Sequence, residues 1–272
     1  MKEIIIQFCI GVYMLIYRLV FRKYSHRLLY INTNKKTVNM WDVERLLMSN
    51  DPKPYKEHIY NDATVNTYRP NKQLSIMKKT LNRIHRSKAD SLEIWYAGFV
   101  SVPFAVYDGY SISNTASVVF VEHSKITDEM YVVRPPVRHT TFVFSGERVI
   151  ADGQEEVNLI IASSYNINVD DVIKKRGPLY YTMIDLDFEK NNRTLCINYL
   201  QDIGKQFTAF LDDCRDHGVK SVHVFAACRQ SVAFTLGQSI QVHHPEVYVY
   251  EYVNGQYTWG LKIKEGIIIG GQ

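Results

Sequence analysis

The sequence predicts an α/β fold: two Rossmann-like halves with parallel sheets, preceded by an N-terminal hydrophobic helix and a basic segment. Three observations carry that reading. Residues 92–121 lie over residues 220–249 without a gap at an offset of 128, with a strand, helix, strand pattern in each copy. The stretch between the copies continues the alternation of strand and helix patterns. Ahead of both, residues 4–21 form an apolar run broken only by Gln7 and Arg18.

Composition sets the outer bounds. A chain of 272 residues with 46% hydrophobic and 22% charged side chains, 14 Gly and 8 Pro is neither collagen-like nor disordered, and it is long enough for one large domain or two small ones. Cys9, Cys196, Cys214 and Cys228 show no paired spacing, which excludes a disulfide scaffold and a zinc motif and fits reduced thiols in a cytosol. The net charge of +4 hides a division near residue 90. Residues 1–89 hold 17 Lys and Arg against 6 Asp and Glu, and residues 90–272 hold 15 against 22. The first segment therefore faces something anionic.

Taken in chain order, residues 4–21 as a helix measure roughly 27 Å, close to a bilayer core. Arg18, Arg22, Lys23, Arg27, Lys35 and Lys36 follow, with no acidic residue between Glu3 and Asp42. The positive-inside rule then predicts a membrane anchor with the C-terminal bulk in the cytoplasm; the alternative is a buried helix in a cytoplasmic protein. Residues 74–86, LSIMKKTLNRIHR, place Leu74, Met77, Leu81 and Ile84 on one helical face, with a basic face opposite that suits solvent, lipid or nucleic acid.

The first repeat copy starts near residue 90. LEIWYAG reads as a strand, SVPFAVYDGYSIS as a helix and SVVFVEH as a second strand; KSVHVFA, QSVAFTLGQSIQV and EVYVYEY take the same places in the second copy. The ungapped overlay sets Gly109 on Gly237, Ala105 on Ala233 and Phe120 on Tyr248. Between the copies lie a strand at 157–163, a short helix at 169–175, a strand at 180–187 and a long helix near 198–217. The chain closes in YTWGLKIKEGIIIG, two edge strands. A strand, helix, strand unit implies a right-handed crossover and a parallel pair, so the halves are expected at about 90–165 and 166–272.

Open parallel sheets bind ligands beyond the C-terminal strand ends, where helix N-termini present unpaired N–H groups. Those loops are Gly98–Pro103 and Ala226–Ser231. Neither holds G-x-G-x-x-G, and no G-x-x-x-x-G-K-[ST] occurs, which argues against a dinucleotide cofactor or an NTP-hydrolysing P-loop. Ser101 can cap the helix that Pro103 opens, and Arg229, Gln230 and Ser231 offer an anion a planar cation and polar groups. Lys174, Lys175 and Arg176 are further cations for such a pocket. Trp259 suits stacking on a base, with core packing an equal alternative. An enzyme would need a positioned nucleophile, acid or base. Cys228, His223 and Asp185 are the candidates, and they form no evident constellation. His243–His244 and Asp185 with Asp187 read as turn residues before metal ligands.

The pairing of EIWYAGFVSVPFAVYDGYSISN with SVHVFAACRQSVAFTLGQSIQVHHPEVYVYEY, closed by YTWGLKI, resembles the SAVED domain family over about residues 90–272. That resemblance implies two fused CARF-like Rossmann subdomains and a sensor of cyclic oligonucleotides in bacterial antiphage defence, within CBASS or type III CRISPR systems. The messenger, adenine-containing, would come from a CD-NTase-like cyclase or a CRISPR polymerase, with no DNA or RNA polymer as partner and no cofactor. It would lie between the halves against Val100, Ser101, Val102, Pro103, Phe104, Ala227, Cys228, Arg229, Gln230 and Ser231, with Tyr257 and Trp259 from the terminal motif. The family's effector would here be residues 1–89, at the inner membrane, activated as the ligand drives homo-oligomerisation. A ring nuclease or small-molecule hydrolase in the same cleft is the alternative.

Overall fold

The computed structural model describes residues 27–33, 57–62, 69–87, 93–113, 116–124, 127, 129–135, 150, 153–177, 181–185 and 195–270. The apolar run at 4–21 lies outside them, and among the described residues no helix is long and apolar enough to cross a membrane.

Two mixed sheets enclose a common layer of helices. The first half contains β1 (Arg27–Thr33), β2 (Glu57–Asp62), α1 (Pro70–Ser87), β3 (Glu93–Phe99), α2 (Val102–Ile112), β4 (Ser117–Ser124) and β5 (Glu129–Val132). Its strands run in the order β2-β1-β3-β4-β5, parallel except for the β4–β5 pair. The second half contains β6 (Glu156–Ala162), α3 (Val169–Arg176), β7 (Tyr181–Asp185), α4 (Ile197–Asp216), β8 (Ser221–Ala227), α5 (Gln230–Ser239), β9 (Glu246–Val253), β10 (Gln256–Lys262) and β11 (Ile267–Ile269). Here the order is β11-β10-β9-β8-β6-β7, with the parallel strands at one side and the β9-β10-β11 meander at the other.

Both expected boundaries move. Strand β1 pairs with β3 over all seven residues and places Leu28 and Tyr30 in the shared core, so the first half starts well before residue 90. Strand β6 lies between β8 and β7, which assigns residues 156–162 to the second half rather than the first. The amphipathic helix forms as α1, and its apolar face is spent inside: Leu74, Met77, Leu81 and Ile84 are all buried in that core.

The repeat is visible where the helices cross. A Cβ added to Gly109 on α2 would stand 1.9 Å from the Phe234 carbonyl oxygen on α5, and one added to Gly237 would stand 2.0 Å from the Val106 carbonyl oxygen. Since 106 and 109 are the offset partners of 234 and 237, the contact is reciprocal, as across a two-fold axis. Each helix also packs on the other half's sheet. Phe234 rests against Tyr96 and Phe120, with ring centroids 4.4 and 5.3 Å away, and Phe104 rests 5.2 Å from Trp259. The two halves thus share one apolar interior.

One buried carboxylate ties β1 into this interior. Asp108 on α2 is fully buried, and its two oxygens accept hydrogen bonds from the Tyr30 hydroxyl at 2.9 Å and the Tyr96 hydroxyl at 3.1 Å. Burial, helped by that charge, pushes the Tyr96 phenol well above its usual value, so it remains a donor. Asp108→Ala leaves two buried phenols without their acceptor. We expect it to cost about 3 kcal/mol, against about 1 kcal/mol for Tyr30→Phe, both read from urea unfolding midpoints.

Candidate functional site

The C-terminal ends of β3 and β8 bring the two expected loops into contact. Gln230 Nε2 donates to the Val100 carbonyl at 2.7 Å, and the Val100 N–H donates to Gln230 Oε1 at 3.3 Å. Beside them, the N–H groups of Ser163 and Ser164 donate to the Ala227 carbonyl at 3.0 and 2.8 Å, which fastens the end of β6 to β8. The loop that carries Val100, Ser101, Val102 and Pro103 therefore meets the turn that carries Ala227, Cys228, Arg229, Gln230 and Ser231 through Val100 and Gln230, at the junction of the halves.

The helix N-termini are held in a way the sequence does not announce. Ser101 is the N-cap residue of α2 and Pro103 stands in the first turn, but the Ser101 hydroxyl makes no cap bond to its own helix. It bonds instead to the Glu251 carboxyl on β9, which also accepts the Val102 N–H. Burial pushes Glu251 up to about 7, against both of those hydrogen bonds. The second helix repeats the device. Arg229 at the N-cap of α5 makes no side-chain cap, and the Ser231 N–H donates to Glu122 Oε1 on β4 at 2.7 Å. Each helix N-terminus is thus capped by a carboxylate from the other half's sheet.

These two carboxylates escape the ungapped overlay because the true equivalence slips by one residue at the second strand. Ile94 and Tyr96 on β3 face the shared core as Val222 and Val224 do on β8, an offset of 128. Phe120 on β4 faces that core as Val249 does on β9, an offset of 129, whereas Tyr248 packs on the opposite face of its sheet. Phe120 therefore matches Val249 and not Tyr248. The same slip sets Glu122 on Glu251, a pairing that a one-residue gap would have exposed.

The remaining predicted residues divide. Arg229 Nη1 donates to the Tyr131 hydroxyl at 2.6 Å, which fixes a cation at the loop's edge, and the Leu195 N–H reaches the same oxygen at 3.3 Å. Cys228 is half-buried against the shared core. Phe104 and Trp259 are buried against each other in that core with their rings tilted by 41°, Trp259 only 2% exposed, so the indole is a packing residue in this conformation rather than an open stacking surface. Its Nε1 has no hydrogen-bond partner, and neither has the buried Ser231 Oγ. Tyr257 is parted from Trp259. The β9–β10 register slips between Tyr257/Tyr252 and Trp259/Glu251, so Thr258 is an extra residue that turns the two rings to opposite faces. Tyr257 ends among Ile160, Phe225 and Tyr250 on the outer side.

The basic turn of α3 is likewise on that outer side and not in the cleft. Lys175 donates to the Thr258 carbonyl and stands over the Tyr250 ring, Lys174 pairs with Asp171, and Arg176 contacts Glu156 and His223. His223 is stacked on Tyr248 and bonded to the Tyr250 hydroxyl at 3.0 Å; burial, reinforced by Arg176, pushes it down to about 3. It stays neutral in the middle of β8, whereas Cys228 follows the end of that strand, five positions on and roughly 16 Å along an extended chain. No Cys–His pair exists there. The side chain of Asp185 and all of Asp187 lie outside the described residues.

Asp212, His243 and His244 bring three potential metal ligands within 4.8 Å of one another. Their hydrogen bonds argue against that role. The Gln241 N–H donates to His244 Nδ1 at 3.0 Å, which puts the neutral ring's proton on Nε2, the atom that a metal would need. Arg215 Nη1 also binds the shared Asp212 oxygen at 2.8 Å.

Residues 77–263 match the family model described as SMODS-associated and fused to various effectors sensor domain, SAVED. The chain belongs to the SAVED family. Among solved structures, this SAVED chain resembles an Acinetobacter baumannii Cap4 SAVED/CARF-domain receptor with the cyclic trinucleotide 2'3'3'-cAAA, at 16% identity and a TM-score of 0.54, covering 84% of this chain and 50% of the receptor. The same receptor with 3'3'3'-cAAA gives 17% identity and a TM-score of 0.53, covering 84% of this chain and 50% of that one. A Moraxella osloensis Cap4 receptor gives 14% and 0.50, covering 84% of this chain and 47% of its own. At such identities the likeness is one of fold, and the SAVED chain spans about half the length of these receptors. No curated protein matches the sequence.

Proposed function

We propose that this SAVED chain senses a cyclic oligonucleotide, held between its halves where the loop after β3 meets the start of α5. The observation that carries the proposal is the junction itself. In a SAVED fold, Val100 and Gln230 join the two strand-end loops directly, at the position where α/β sheets receive ligands. Arg229, oriented by Tyr131, supplies the cation for a phosphodiester. The buried Ser231 hydroxyl and Trp259 indole N–H are polar groups that a ligand can satisfy after a modest rearrangement. A ring containing adenine is the first choice, because the Cap4 receptors of the same fold are solved with cyclic triadenylates.

The reading extends to the N-terminus and to assembly. Residues 4–21 serve as a membrane anchor, supported by their apolar run and basic flank, and only residues 22–26 separate that run from β1. The SAVED half would then stand close to the inner face of the membrane, and a ring that favours a packed oligomer would gather the anchors.

A thermal-shift series on the full chain with cyclic di-, tri- and tetranucleotides tests the sensor. A cognate ring at a hundred times its dissociation constant contributes about 2.7 kcal/mol, a rise of about 5–10 °C in Tm. Arg229→Ala is expected to weaken the ring about tenfold or more, the cost of one charge-assisted hydrogen bond. Equal affinity in wild type and R229A would remove Arg229 from the site.

A further inference from the structure

Glu122 and Glu251 hold the two helix N-termini that an anionic ligand meets in this cleft. Four observations bear on this junction, three of them on Glu251. Its carboxyl takes the Ser101 hydroxyl and the Val102 N–H, both in the loop assigned to the ligand. It does so from the opposite half, as Glu122 does for Ser231. Trp259, directly opposite Glu251 in the β9–β10 pair, carries an indole N–H buried without a partner. Ser231 at the other helix start is 1% exposed and its hydroxyl is equally unsatisfied. The junction thus sets two carboxyl groups beside buried donors that have no partner.

A phosphodiester brought to this place competes with Glu251 for the Val102 N–H and sets a second negative charge beside it. Like charges in a half-buried site do not both stay ionised. We infer that Glu251 is a positioning residue of the cleft that takes up a proton from solvent when an anionic ring binds, which coupling makes binding weaken as pH rises. The inference rests on the sensor reading proposed above.

The surroundings of Glu251 allow the coupling. From α2 it meets the uncharged Ser101 and Val102; from β10 it meets Trp259 and feels Tyr257, whose phenol burial pushes up so that it stays neutral. The neighbouring end of β8, Phe225 to Ala227, is uncharged. Burial already raises the Glu251 carboxyl to about 7, so ionised and neutral forms are both populated near neutrality. A further rise on binding means proton uptake, with affinity strongest below that value and lost as pH climbs through it. Phosphodiesters do not titrate in this range, and Glu251→Gln separates this carboxyl from the histidines.

The test is calorimetry of the full chain with cyclic triadenylate at about pH 6 and pH 8, in two buffers of different ionisation enthalpy. For wild type we expect affinity to fall roughly five- to tenfold between the two pH values, with a net proton uptake from the buffer difference. In Glu251→Gln the ratio of the two affinities is expected to approach one and the uptake to vanish. Ser101→Ala removes a hydrogen bond that favours the ionised carboxyl, and is expected to move the wild-type midpoint to higher pH. A wild-type slope retained in E251Q, or an unmoved midpoint in S101A if E251Q does not fold, overturns the coupling alone. A wild-type chain that binds no ring at either pH overturns the sensor reading and the coupling with it.

Discussion

Gly237→Ala is expected to destabilise the protein by about 3 kcal/mol or more, and Gly109→Ala by as much. Alanine favours a helix over glycine by about 1 kcal/mol, so propensity alone predicts a gain. The contact decides otherwise. The added methyl would stand 2.0 Å from the Val106 carbonyl oxygen in the first case and 1.9 Å from the Phe234 carbonyl oxygen in the second. Those are backbone atoms inside a packed helix, with no flexible side chain to yield, so α2 and α5 must separate. Separation opens the apolar layer between Phe234, Tyr96 and Phe120, and overpacking of that kind costs 1–3 kcal/mol or more. Urea unfolding of both single variants and the double variant checks this. Because the first substitution already parts the helices, the double variant is expected to lose less than the sum. A free energy unchanged in either single variant would contradict the close crossing.

A fragment of residues 90–272 is expected not to fold, although composition and repeat both suggest that boundary. Removing residues 1–89 deletes β1, the partner of β3 over seven residues, and α1 with its four buried apolar side chains. It strips Leu28, Tyr30, Leu74, Met77, Leu81 and Ile84 from a continuous core and takes the Tyr30 hydroxyl from Asp108. Burying each large apolar side chain contributes about 1.5–3 kcal/mol, so the six together, about 9–18 kcal/mol, are as large as the 5–15 kcal/mol by which a domain is stable. Circular dichroism and thermal unfolding of 90–272 beside 22–272 give the comparison. A cooperative transition in the longer fragment and none in the shorter is the expected result.

The strand, helix, strand units were legible because their signals are local. LEIWYAG and KSVHVFA alternate or run apolar for strand length, and the ungapped overlay sets Gly109 on Gly237 within the two helices. Strands β1 and β2 were not legible. RLLYINT follows a basic flank and EHIYND holds only two large apolar residues, so their strand state comes from pairing, β1 onto β3 and β2 onto β1, a long-range cause no window contains. Of the candidate site, the two loops followed from the repeat and the rule of strand ends, and the expectation that both line one cleft came from the family resemblance. Glu122 and Glu251 did not, because one slipped residue hid their equivalence. Nor did the parting of Tyr257 from Trp259, because a bulge at Thr258 has no sequence signature there.

The charge distribution also changes meaning once folded. The acidic balance of residues 90–272 looks awkward for an anionic ligand, yet Glu122 and Glu251 occupy helix N-termini and offset their dipoles. Ion pairs absorb others at the surface, such as Lys220 with Glu155 and Arg215 with Asp212 and Asp216. The local potential at the junction is set by Arg229 together with Glu122, Glu251 and the backbone N–H groups they hold, rather than by the sum over residues 90–272.

The most direct test of the sensor reading is a calorimetric titration of the full-length protein with cyclic triadenylate, with linear triadenylate of equal charge as the control. The account predicts saturable binding of a ring and at least tenfold weaker binding of the linear form, since a ring arrives with its phosphates already arranged. A folded protein that binds no cyclic ring of two to four nucleotides, or that binds ring and linear forms alike, would contradict it.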